Sequence, residues 1–428
     1  HGYEHLLLSE YSEIQEKGNN CFFLGHLVAP YITSRCLVTL SNIVQTSYNI
    51  QPASLANLRD PIVTVGNEKI RFEGFSQCAG VYARVDLLPG GYDGEFLANG
   101  TTNVDFNQPM INALGSIHKN EKVLLSIGQK EVGVYKEKEK IIERKVPLPT
   151  KWIKGLNTVQ IYLAGTSEVF RLNRVQAIQL FKGLPNTHTF KDYFIGMRGK
   201  RPFLSSVKLS DGICIGGIHR LRLLQNLVPL VDEIGIFSHP SMHSTTFQLY
   251  FGVVRFTFTL SREAKRGFSG EGAALESLIE DLPEELISRF NNFNYANQSF
   301  NPTLLAIEQG FNFKQVDHLA IRLSAMGLLG FDLDDNAFFY RQLPYKLNKI
   351  MSLNPRMKGA EKLLNEGKVN IISHVDDRIE ASVEGTDHAH TVIISGNSAR
   401  CTCTWYAQYQ GTRGMCKHVL AVKKKTNQ

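Results

Sequence analysis

The stretch Cys401-Thr-Cys403-Thr-Trp405-Tyr406-Ala-Gln-Tyr409-Gln-Gly-Thr-Arg413-Gly-Met-Cys416-Lys417-His418 gathers three thiols and one imidazole into a Cys-x-Cys pair and a Cys-x-His pair twelve residues apart. These are soft or borderline donors, and four of them make a closed tetrahedral set for Zn²⁺. With every position taken by protein, no place is left for a reactive water, so the spacing points to a structural ion rather than a hydrolytic one. The flanks agree: Thr391-Val-Ile-Ile394 is strand-like, and Val419, Leu420 and Val422 have helical spacing. A disulfide between Cys401 and Cys403 would close a strained ring.

Working outward, charge is concentrated in the same region. The chain has 428 residues, with 47 Lys and Arg against 40 Asp and Glu. From Thr391 to Gln428 the basic residues Arg400, Arg413, Lys417, Lys423, Lys424 and Lys425 stand without one acid. Interleaved with Trp405, Tyr406 and Tyr409, they offer phosphate neutralisation and stacking surfaces to a nucleic acid. The plainer alternative is that Lys423 to Lys425 solubilise a chain end and favour a helix C-terminus, with Trp405 packing beside the metal. The other four cysteines (Cys21, Cys36, Cys78, Cys214) are scattered singly, which suits a reducing, cytoplasmic compartment. The longest apolar run, Phe247 to Leu260, is broken by Gln248 and Arg255 and is too short to span a membrane.

Upstream, Ile32, Cys36, Leu37, Leu40, Ile43 and Val44 predict an amphipathic helix over 31–49, and a further helix is expected over 2–17. Short β runs follow at 62–65, 80–87, 122–127, 131–135 and 141–146. A helix is expected over 171–184, with strands at 203–209, 233–237 and 247–260, then an acidic helix around Glu276 to Glu285 and an Asn-rich linker over 291–297. The chain therefore reads as a multidomain α+β protein. The divisions are an N-terminal α+β domain (1–190), a β-rich middle (191–296), a winged-helix-like segment (297–346), and a helical connector with the finger (347–428).

The winged-helix-like reading rests on two helices followed by a hairpin. Leu304 and Ile307 mark the first helix; Val316, Leu319, Ala320 and Leu323 mark the second; Phe331–Leu333 and Phe338–Tyr340 make the hairpin. Lys314, Gln315, His318 and Arg322 would then be candidates to face DNA, with Arg341 near the wing, whereas Asp332, Asp334 and Asp335 would repel phosphate. A small packing module is the alternative. The Met197-Arg-Gly-Lys-Arg201 loop reads as a solvated turn, with phosphate binding as the alternative, and the pairs His239/His243 and His388/His390 as ordinary surface or core residues. No phosphate-binding loop, His-Glu-x-x-His or Gly-x-Ser-x-Gly occurs, so no catalytic residue is assigned.

Residues 367 to 425 resemble the SWIM zinc finger, whose pattern is Cys-x-Cys, a variable spacer, then Cys-x-His. The likeness includes Val369-Asn-Ile-Ile-Ser-His-Val375 and Arg378-Ile-Glu-Ala-Ser-Val-Glu-Gly385 as the strands before the ligands, and Gly-Met-Cys416-Lys-His418-Val-Leu-Ala in wording. Phe22-Phe-Leu-Gly-His26 and Arg266-Gly-Phe-Ser-Gly-Glu-Gly272 are similar to phrases in longer bacterial proteins of this kind. The resemblance implies Zn²⁺ binding and a contact with nucleic acid (DNA or RNA) or protein. Bacterial members are associated with MoxR-type AAA+ ATPases and von Willebrand A domain proteins, which implies an adaptor role as the alternative.

Overall fold

The computed structural model describes residues 21–46, 61–136, 139–146, 150–241, 243–263, 267–269, 290, 299–325, 327–341, 343, 355–385, 388–396, 398–410 and 414–426. The expected helix over 2–17, the acidic helix near 276–285, the linker over 291–297 and Arg413 lie outside them. The fold is mixed α+β, in two compact units.

The first unit comprises His1–Ser269 with Phe331–Leu333 and Phe339–Pro344. One of its sheets has five strands: β1 (Cys21–Leu27), β5 (Tyr92–Phe96), β7 (Val123–Gly128), β8 (Glu131–Lys136) and β9 (Glu139–Arg144), in the order β5-β1-β7-β8-β9. A larger sheet takes in β2 (Ile62–Gly66), β3 (Lys69–Phe75), β4 (Val81–Leu87), β6 (Gly100–Asn103), β10 (Ser167–Asn173), β14 (Glu233–Ser238), β15 (Ser244–Phe251) and β16 (Val254–Ser261), in the order β10-β14-β15-β16-β4-β3-β2-β6. Strands from both sides of residue 190 therefore share this one sheet. Three further strands, β11 (Asp192–Arg198), β12 (Arg201–Ser205) and β13 (Ile213–Gly216), form a small sheet in the order β12-β11-β13.

Local chemistry explains the turns. Asn67 and Glu68 both take positive φ, 52° each, as a two-residue hairpin joining β2 to β3 requires. The apolar run 247–260 is two strands, folded back at Gly252 (φ +65°) so that Phe251 faces Val254. The Arg198–Arg201 loop is a hairpin turn with Gly199 at φ +59°, matching the solvated-turn reading. The helix expected over 171–184 begins only at Arg174. Asn173 caps it and Gln176 returns the bond, a capping box that leaves Arg171–Asn173 in β10.

Helices cover the sheets: α1 (Pro30–Gln45), α2 (Gln108–Gly115), α3 (Thr150–Ala164) and α4 (Arg174–Lys182). α1 buries Cys36, Leu37, Leu40, Ile43 and Val44, the stripe its sequence spacing marks, and packs on β3 and β4. None of the described helices is long and apolar enough to cross a membrane.

The central strands of the large sheet bury both faces. Ile70, Phe72, Val85 and Phe256 line one side. The other carries a row of charge, because Arg71 and Arg255 both stand opposite Asp86 in the ladder and Glu73 stands opposite Arg84. Asp332 reaches Lys69 (3.2 Å), Arg255 (2.8 Å) and Arg71 (3.6 Å), while Arg341 pairs with Glu73. Phe339 lies 3.9 Å below the Arg71 guanidinium. Arg341 and Asp332 are thus buried in ion pairs of the first unit, and the expectation that they face solvent near a wing is corrected.

The second unit comprises Gly270–Gly330, Asp334–Phe338 and Tyr345–Gln428. It begins with β17 (Ser299–Phe300), α5 (Pro302–Gln309) and α6 (Phe313–Ala325); the hairpin that follows in sequence, β18 (Leu329–Asp332) and β19 (Ala337–Tyr340), in the sheet order β17-β19-β18, is divided, with Phe331–Leu333 and Phe339–Pro344 counting with the first unit. This is the expected helix–helix–hairpin order. The face of α5 differs from its reading: Leu305 and Ala306 are buried, whereas Leu304 and Ile307 are exposed, so the spacing of three marked the outward side. On α6, Val316, Leu319 and Ala320 are buried as expected, Lys314, Gln315 and His318 are exposed, and Arg322 is half-buried.

Candidate metal centre

The C-terminal module is built on a four-stranded antiparallel sheet, β20 (Val369–Val375), β21 (Arg378–Glu384), β22 (Ala389–Ser395) and β23 (Ser398–Cys401). Alternation places Ile379, Ala381, Val383, Val392 and Ile394 on the buried face. Three helices complete it: α7 (Pro355–Asn365), α8 (Thr404–Tyr409) and α9 (Lys417–Thr426). Met357, Ala360 and Leu363 of α7 and Val419 to Val422 of α9 share that core with Cys401, Cys403 and Cys416.

Each candidate ligand sits where an element begins or ends. Cys401 closes β23, opposite Val392 of β22. Beyond it, the Thr402 amide donates to the Thr391 carbonyl (3.1 Å) and the Thr391 amide to the Thr402 hydroxyl (3.0 Å), which fixes the residue between the first two thiols. Cys403 caps α8, its sulfur accepting the Tyr406 amide at 3.4 Å. Gln410, in the left-handed region at φ 44°, ends that helix. Cys416 precedes α9 and accepts the Val419 amide at 3.5 Å. His418 lies in the first turn of α9.

The structure brings the four together. One donor atom from each of Cys401, Cys403, Cys416 and His418 lies within 4.8 Å of all the others, and all four residues are buried. Cys401 Sγ is 3.8 Å from His418 Nδ1. A tetrahedron with metal–sulfur bonds of about 2.3 Å has edges of about 3.8 Å, so the donors need close in by no more than about 1 Å. The amides aimed at Cys403 and Cys416 favour thiolates. Hydrogen bonding from Cys401, assisted by His418 and the Val419 amide, holds the Cys416 thiol well below its ordinary range against the effect of burial. The same pairing raises Cys401, and burial raises Cys403. The donor set is consistent with Zn²⁺.

Further residues support the cluster. The His390 ring lies 4.3 Å from that of His418, and His388 lies 4.6 Å from His390. Burial first, and then His418 and His388, depress the basicity of His390. Gly385 makes this packing feasible, since a Cβ there would fall 2.8 Å from His390 Nε2. Arg356 donates to the Met415 carbonyl at 2.6 Å and lies over the Trp405 ring at 4.9 Å, while Tyr409 meets the edge of that ring at 4.6 Å. Neither Arg356 nor His390 was singled out from the sequence as part of this site. Arg356 is remote from the Cys/His spacing; His390 lies close to it in sequence, but the four-donor set is full without it, and it is the fold that stacks it on His418.

Residues 390–427 match the SWIM zinc finger. The four donors of the SWIM segment are the cluster just described. No curated protein sequence matches the chain. Among solved structures, the chain is similar to Proliferating Cellular Nuclear Antigen from Entamoeba histolytica, with TM-score 0.40 and 9% identity, over 56% of this chain and 98% of that one. It is similar also to the PCNA2–PCNA3 complex from Sulfolobus tokodaii, with TM-score 0.40 and 8% identity, over 56% and 99%. Likeness of this degree assigns neither fold nor function.

Around the SWIM segment the candidate contact residues differ in their surroundings. Arg400 is exposed on β23. Trp405 and Tyr406 are half-buried against the module core, and the Trp405 ring has Arg356 over it and Tyr409 at its edge. Lys424 bonds Glu361 of α7 at 2.9 Å, and Lys425 donates to the Val369 carbonyl at 2.5 Å. Lys417 and Lys423 are half-buried. Elsewhere, His239 and His243 come within 5.6 Å of one another against Tyr162, with no cluster of three metal donors there among the described residues.

Proposed function

We propose that the SWIM segment holds one structural Zn²⁺ through Cys401, Cys403, Cys416 and His418, and that the finger so folded is a non-catalytic contact for nucleic acid. The observation that carries the metal assignment is the set of four buried donors within 4.8 Å of one another. Four protein ligands leave the ion closed, and its role is to fasten β23, α8 and α9 into a single core. Nucleic-acid contact is supported by the basic excess around the ion, which includes exposed Arg400, Lys424 and Lys425.

Metal content of the purified chain, combined with salt-titrated binding to single-stranded and duplex DNA and RNA, tests both parts. One zinc per chain with an affinity that falls steeply with salt is expected. One zinc without nucleic-acid binding would retain the structural ion and move the contact to protein. The reading as an adaptor for an AAA+ ATPase draws on the exposed Leu304, Ile307 and Phe313 of α5 and α6, apolar side chains of the kind that partner proteins cover.

A further inference from the structure

We infer that the phosphate-binding surface of the module is a lysine face shared by α7 and α9, half of it outside the SWIM segment, and that its partner is the backbone of a nucleic acid. The inference rests on the nucleic-acid reading above and locates it.

The two helices pack side by side. Gly359 permits close approach, since a Cβ there would lie 3.1 Å from Lys417 Cδ. Over Pro355–Lys368 and Lys417–Thr426 the chain carries Lys358, Lys362, Lys368, Lys417, Lys423, Lys424 and Lys425 against only Glu361 and Glu366. Both acids are already occupied, Glu361 by Lys424 at 2.9 Å and Glu366 by Lys368 at 2.8 Å and Lys362 at 3.6 Å. Lys358 and Lys362, one turn and about 6 Å apart on α7, are exposed.

The chemistry of this face selects its partner. Among the described residues, neither α7 nor α9 exposes a large hydrophobic side chain. Protein interfaces centre on aromatic and apolar anchors and are depleted in lysine, whereas phosphate backbones are bound by cations with release of counterions. Neither helix carries Phe, Tyr or Trp, and Trp405 and Tyr406 of the SWIM segment are half-buried against the module core. Binding is therefore electrostatic and tolerant of sequence, with little stacking.

The test uses the full zinc-loaded chain and a fluorescein-labelled 20-mer DNA or RNA, titrated across salt. The double variant Lys358→Gln/Lys362→Gln should keep its zinc and flatten the slope of log affinity against log salt by about 1.4–1.8, two contacts at about 0.7–0.9 each. Glu361→Gln removes an acid and releases Lys424, so it should tighten binding and steepen the slope, a gain that unfolding cannot mimic. Unchanged slopes in both variants, with the parent chain still binding, would overturn this surface and leave the nucleic-acid reading intact. A parent chain that binds poly-glutamate but no nucleic acid would overturn both.

Discussion

Asp332 Oδ2 lies 2.8 Å from Arg255 Nη2, with both side chains about 1% exposed. Lys69 and Arg71 converge on the same carboxylate, and Arg84 adds to the field that holds it ionised, well below the usual carboxylate range. Replacing Asp332 by Asn leaves these cations facing a neutral amide. Removing one partner of a buried ion pair costs about 3–5 kcal/mol, and chemical denaturation of Asp332→Asn should show a loss of that size. Because the folded carboxyl is more acidic than the unfolded one, its contribution is complete above about pH 4 and fades as pH falls. The parent chain should therefore lose stability on acidification more steeply than Asp332→Asn does.

Glu143 has the opposite sign. Burial, reinforced by Asp105 and opposed by the Asn107 backbone amide, raises its carboxyl to about 7. Between about pH 4.5 and 7 the folded chain then holds a proton that the unfolded chain releases, so this group favours folding less as pH rises through that range. Thermal unfolding of Glu143→Gln against the parent should show a smaller fall in melting temperature between pH 5 and pH 7.5.

Cys416→Ser removes a ligand and a core residue together. Zinc content should fall from one equivalent to near zero, with on the order of 10 kcal/mol of metal binding free energy lost from the C-terminal module. Protease resistance should disappear within residues 355–426 and persist in the first unit. Retention of a full equivalent of zinc would refute the ligand set. A strong chelator applied to the parent chain should reproduce the same pattern.

Gly94 faces Gly25 across the β1–β5 ladder, and a Cβ at Gly94 would lie 2.3 Å from both the Gly25 Cα and the Leu24 carbonyl oxygen. Backbone cannot yield as a flexible side chain does. Gly94→Ala should destabilise the first unit by about 1–3 kcal/mol or more, read from its denaturation midpoint.

How much of this was legible in the sequence follows the range of the interactions. The metal set was legible because its four donors fall within one short segment, where spacing alone restricts geometry. α1 was legible because one periodic stripe meets one core. Strand β3 is absent from the predicted runs although Lys69-Ile-Arg-Phe-Glu-Gly-Phe75 alternates charge with apolar residues as a half-solvated strand does, and the alternation itself hides that both of its faces are buried. Its charged side is covered by Asp332, Phe339 and Arg341, more than 250 residues later in the chain. The same long-range pairing withdrew Arg341 and Asp332 from the surface expected of them. Leu304 and Ile307 misled for a different reason: a regular apolar spacing identifies a helical face without saying whether anything covers it.

The hairpin β18–β19 supplies residues to the first unit from within the sequence of the second, and this limits how the chain can be divided. A fragment ending before residue 331 would lose Asp332, which pairs with Lys69, Arg71 and Arg255, and would strip Glu73 of Arg341. Such a fragment should refold poorly on its own and recover when a peptide spanning residues 329–344 is supplied in trans. Gene-level dissection of this protein therefore has to treat that short segment as belonging to the first unit's interior.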